Sequence, residues 1–100
     1  MDKDAVKLTP RAERDLDGIY AYIAETLLEP GIAEDMADTL EKGILSLDTM
    51  PYRCPKRKHG VYANKGYRNL FIKNYTVVFR VDEETKTVVI VTVRYSGMDF

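Results

Sequence analysis

The sequence predicts an α+β fold, with elements in the order β-α-α-β-β-β and a helical hairpin packed on one face of a small antiparallel sheet. Two observations predict it. Apolar residues recur at helical spacing through residues 10–47, then at every second position through residues 67–72 and 75–81, with a β-branched run at 88–95, so two helices are followed by strands. Charge divides along nearly the same line: residues 1–48 carry twelve acids against five bases, whereas residues 49–81 carry eight bases and no acid. A net charge of only −1 therefore conceals an acidic helical half and a basic stretch of +8.

Each element follows from its residues. Val6 and Leu8 alternate with Lys7 and Thr9 as a short strand, and Thr9-Pro10 then supplies a helix cap and a first-turn proline. Ala12, Leu16, Ile19, Tyr20, Ile23 and Leu27 form the apolar stripe of a helix over residues 10–27, which Pro30-Gly31 breaks. A second helical stripe runs through Ile32, Met36, Leu40, Ile44 and Leu47, with Gly43 as a tolerated weak point and Pro51 as the stop.

A polar, basic loop occupies residues 51–66, followed by strands at residues 67–72, 75–81 and 88–95 that pair as a meander. On the middle strand Tyr75, Val77, Phe79 and Val81 face the helices, which sends Thr76, Val78 and Arg80 to the open face. The last strand is apolar at both parities, the pattern of a central strand, and its Thr92 and Arg94 join Arg80 on the open face. That face, rimmed by the loop cations Arg53, Lys56, Arg57, Lys58 and Lys65, is the candidate site for phosphates or an acidic protein partner.

Several classes are excluded. One hundred residues at 45% apolar content suffice for a single domain spanning residues 1–100 and one core. No apolar run is long enough to cross a membrane and the start is charged, so a cytoplasmic protein is expected. One Cys and one His cannot assemble a zinc site, and no phosphate-binding glycine loop is present, so no metal and no cofactor are expected. Cys54 lies among cations that can favour a thiolate, but no base and orienter accompany it.

Three stretches carry a family resemblance. Residues 8–23 (LTPRAERDLDGIYAYI) resemble the opening strand and first helix of the RelE/ParE superfamily of toxins from bacterial type II toxin-antitoxin systems. Gly66-Tyr67-Arg68, Lys73-Asn74-Tyr75 and Phe79-Arg80-Val81-Asp82 are similar to its middle strands, and residues 91–100 to its closing strand.

The resemblance implies a toxin neutralised by a cognate antitoxin. It acts either by ParE-like inhibition of DNA gyrase or by RelE-like, ribosome-dependent and metal-independent cleavage of mRNA. A cleaving enzyme needs a base for the 2′-hydroxyl proton, an acid for the leaving oxygen and cations for the phosphorus charge. Arg68, Arg80, Arg94 and Tyr95, with His59 as a loop base, are the candidate set. Two departures point away from cleavage: Thr76 stands where many nucleases of the family have arginine, and Gly97-Met98 where basic residues are frequent. A third possibility is a non-toxic module that only holds an antitoxin-like peptide. The antitoxin is expected to fold on contact and to bring Asp and Glu over Arg68, Arg80 and Arg94.

Overall fold

A computed structural model describes residues 3–98. The elements are β1 (Ala5–Leu8), α1 (Pro10–Ala21), α2 (Pro30–Leu45), β2 (Arg68–Ile72), β3 (Tyr75–Asp82) and β4 (Thr87–Tyr95), in the expected order. The strands form one sheet in the order β1-β4-β3-β2. The three late strands are the expected antiparallel meander, but β1 pairs parallel to β4, so the sheet is mixed. The two-helix connection between β1 and the meander is long enough to permit that parallel return, which a tight turn could not make.

Thr9 caps α1 as its sequence indicates: its hydroxyl oxygen accepts from the Ala12 N–H at 3.1 Å, and Pro10 occupies the first turn. The predicted helix over residues 10–27 is α-helical only to Ala21. Tyr22–Thr26 continues it as a wider π turn, in which the Leu27 N–H reaches the Tyr22 carbonyl at 3.0 Å. Leu28 then takes a left-handed φ of 56°, and Pro30 opens α2. Apolar spacing does not distinguish a π turn from an α turn, because the same stripe serves both.

Leu40, Ile44 and Leu47 below the helices meet Val77, Phe79, Val88, Ile90 and Val93 of the sheet in one buried cluster that includes Ala12 and Cys54. Val77 and Phe79 face the helices as alternation requires.

The double parity of β4 has a second cause besides its central place. The register slips between Val78 and Phe79, so Val78 pairs with Thr92 but Phe79 with Ile90, leaving Val91 as the extra residue of a β-bulge. The bulge keeps Val88, Ile90 and Val93 all on the core side, although they do not share a parity.

Gly43 is more than a tolerated weak point. A Cβ there would lie 2.3 Å from Ile72 Cδ1 and 3.1 Å from its Cγ1, so α2 rests directly on β2. Overpacking costs about 1–3 kcal/mol, more than the roughly 1 kcal/mol that alanine gains over glycine in a helix. Gly43→Ala is therefore expected to lower unfolding stability by about 1 kcal/mol in urea denaturation and to become near-neutral in an Ile72→Val background, where Cδ1 is gone.

Candidate functional site

Alternation and register divide the candidate residues between two faces. Arg80 lies opposite Val89 and Arg94 opposite Thr76, both on the face away from the helices. Four residues of β3 separate their rungs, about 13 Å along the strand. Arg80 is exposed and Arg94 half-buried. Between them Val78 is fully buried, flanked by Asn69 and Thr92 on the neighbouring strands. Thr76 exchanges a 2.7 Å hydrogen bond with the Ser96 hydroxyl.

The structure does not bring the other candidates to this face. Arg68 pairs with Phe79 and so lies on the helix side. Its Nη1 donates to the Cys54 carbonyl at 2.7 Å and to the Tyr52 carbonyl at 3.4 Å, and its guanidinium sits 4.9 Å from the centre of the Tyr52 ring. Tyr95 pairs with Tyr75, also on the helix side, and meets that ring edge to face at 6.1 Å. His59 is exposed in the loop.

The loop cations also separate. Arg53 donates to the Thr49 and Met50 carbonyls and to the Ser46 hydroxyl at 2.7–3.1 Å, closing the end of α2. Arg57 is half-buried: its Nη1 donates to Asn69 Oδ1 at 3.2 Å, while its backbone pairs with Tyr67 and Asn64. Lys56, bridged through its backbone to Arg68, is exposed, as are Lys58 and Lys65. Arg53, Arg57 and Arg68 of the +8 stretch thus hold the loop, while Arg80 on β3 and the loop lysines are exposed.

Two titrating groups bear on this corner. The Tyr52 hydroxyl donates to Glu83 at 2.5 Å, and that bond pushes the phenol above its ordinary range. Burial pushes the Cys54 thiol up, outweighing the lowering effect of Arg53 and Arg68. This reverses the expectation of a cation-favoured thiolate, because the desolvation of a buried sulfur exceeds the attraction of cations whose charge reaches water.

A second feature escaped the sequence reading. A cleft of about 840 Å³ opens where α1, the π turn and the start of α2 meet the end of β4. Tyr22, Leu27, Ile32 and Met98, each more than half exposed, form part of its apolar lining, and Arg11, Arg14 and Arg94 supply positive charge. Leu27 and Ile32 read as core residues from periodicity alone. The available signal was the surplus of apolar residues around the break at Pro30-Gly31, more than one helix face can bury. Phe71, 60% exposed on β2 and opposite Thr76, was likewise missed.

The ParE toxin model of type II toxin-antitoxin systems matches residues 6–100. The chain belongs to the ParE toxin family. It is the toxin of a type II toxin-antitoxin system, which bears out the RelE/ParE resemblance. Among solved structures it is similar to a chain of the chromosomal ParDE system from P. aeruginosa, at 23% identity and TM-score 0.76, covering 93% of this chain and 96% of that one. It is also similar to a chain of the RelBE2 toxin-antitoxin complex from Mycobacterium tuberculosis, at 26% identity and TM-score 0.65, covering 95% and 93%. No curated protein matches it significantly in sequence. Among the described residues, no group of three or more His, Cys, Asp or Glu could hold a metal, and no helix is long and apolar enough to cross a membrane.

Two outcomes check this division of the loop. Arg57→Ala should cost about 1–2 kcal/mol of stability through its lost charged hydrogen bond to Asn69, whereas Lys58→Ala should stay within about 0.5 kcal/mol by denaturant titration. Cys54 should react with an aromatic disulfide reagent at pH 8 far more slowly in the folded chain than in urea. Equal rates would show that the thiol is neither buried nor raised.

Proposed function

We propose that this toxin arrests growth by binding and inhibiting DNA gyrase, without cleaving RNA. The observation that supports this reading is the dispersal of the nuclease candidates. General acid-base cleavage needs its groups within hydrogen-bonding reach of one phosphodiester. Arg68 and Tyr95 lie on the helix side, His59 projects from the loop, and Arg80 and Arg94 stand four rungs apart. Thr76, where an arginine would strengthen a cleavage site, is buried and bonded to Ser96. An exposed basic surface loses nothing by such spacing when its task is to bind an acidic or nucleic-acid-bound target.

The same reading gives the neutralising partner. The cleft beside β4, apolar inside and flanked by Arg11, Arg14 and Arg94, suits an amphipathic helix with acids along one edge, the form of a segment that orders on contact. The solved relatives support an antitoxin in this role, since one comes from a ParDE system and the other from a RelBE2 complex.

The purified chain should block supercoiling by DNA gyrase and leave transcripts intact in a ribosome-programmed cleavage assay. Arg80→Ala combined with Arg94→Ala should weaken that block at least tenfold with the circular dichroism spectrum unchanged. Cut transcripts with normal supercoiling would establish the RNA-cleaving alternative. Neither effect, with no growth arrest on expression, would leave only a peptide-binding module.

A further inference from the structure

Arg94 is held by a chain of contacts that begins on α1. The Asp15 carboxylate Oδ2 accepts from two donors on β4, the Thr92 hydroxyl and the Val93 N–H, the latter at 3.1 Å. Thr92 is fully buried, and its oxygen accepts in turn from Arg94 Nε at 3.2 Å. A threonine hydroxyl has a single proton. Because that proton goes to the carboxylate, the oxygen presents its lone pairs to the guanidinium, and donation to an anion strengthens its acceptance. Arg11 Nε lies 4.0 Å from the same Oδ2, so the path alternates in sign from Arg11 through Asp15 and Thr92 to Arg94. Asp15 and Arg94 both line the cleft.

We infer that Asp15 and Thr92 are positioning residues for Arg94, fixing its guanidinium where the open sheet face meets the cleft so that target and neutralising partner both engage a preset cation. The inference rests on the reading that Arg94 contributes to toxicity. A guanidinium bonded through Nε keeps its plane, so what it meets is an oriented fork and not a swinging charge. Binding then costs less side-chain entropy than it would with a free arginine.

Thr92→Val keeps the shape of the side chain and removes the link, while Thr92→Ser retains it. Two readouts suffice: the inducer concentration giving half-maximal growth arrest, and the Nε–H resonance of Arg94 in the purified, isotope-labelled chain. Thr92→Val should require about tenfold more toxin for arrest, the effect of one charged hydrogen bond, and Thr92→Ser should restore it. Adding Thr92→Val to Arg94→Ala should cost nothing more. The Nε–H should exchange with water faster in Thr92→Val, and also in Asp15→Asn, though less so.

The inference is overturned if Thr92→Val arrests growth like the wild type while Arg94→Ala does not, or if the two losses add, which would mark a purely structural threonine. An unmoved Nε–H resonance would equally overturn it. Full arrest by Arg94→Ala instead removes the basic-face reading, and with it any role of this linkage in toxicity. That case is recognised by a resonance that still responds to Thr92→Val.

Discussion

The half-open outer edge of β4 is the constraint around which the molecule is arranged. β1 pairs only from Thr87 to Ile90, so beyond that point the outer edge of a nine-residue strand has no neighbouring strand. Unpaired backbone groups beside a core are costly, and a bare edge invites pairing with other chains. Helix α1 closes this edge with polar atoms. The Thr9 N–H donates to the Ile90 carbonyl at 3.0 Å, its hydroxyl donates to the carbonyl of the bulged Val91 at 3.1 Å, and Asp15 accepts from the Val93 N–H. One threonine thus caps the helix and fastens it to the sheet, and one aspartate fastens it again a turn and a half later.

That stitching sets where everything else can be. With α1 pinned along β4, its apolar stripe lies over the sheet, and α2 returns across the remaining core until Gly43 meets Ile72 on the far strand. The end of α1 overhangs the end of β4, and the space beneath the π turn becomes the cleft. The bulge at Val91 supplies the carbonyl that Thr9 needs and shifts the parity of β4, so that Val93 rejoins the core while Arg94 stays on the other face.

Charge is distributed with the same economy of position. In a run of eight cations, three of the four arginines do structural work: Arg53 closes the end of α2, Arg57 ties the loop to Asn69, and Arg68 gathers the Tyr52 and Cys54 carbonyls, while Arg80 stays exposed on β3. The point-charge lysines at 56, 58 and 65 remain in water. Arginine suits fixed carbonyls because its fork matches several acceptors at once, whereas a strongly hydrated ammonium gains little by leaving solvent. For a ParE-family toxin this leaves a basic surface that is displayed without being concentrated, consistent with recognition as proposed above.

The sequence by itself determined the order of elements, the capping of α1 at Thr9, the face that Val77 and Phe79 bury, and the segregation of acid from base. All are local: they depend on periods of two and 3.6 and on the stereochemistry of proline and threonine. The RelE/ParE resemblance was legible because its motifs sit on those same local elements. Only the tertiary structure decided that β1 runs parallel to β4, that a bulge resets the parity of β4, that Arg68 turns away from Arg80, and that Leu27 and Ile32 line a cleft instead of the core. The strand outcomes depend on which strand lies beside which and, for β4, on a register slip of one residue, and the cleft depends on where the π turn ends α1. Apolar periodicity carries no signal for strand neighbours or register, because a single inserted residue inverts a face without altering the local preference for a strand.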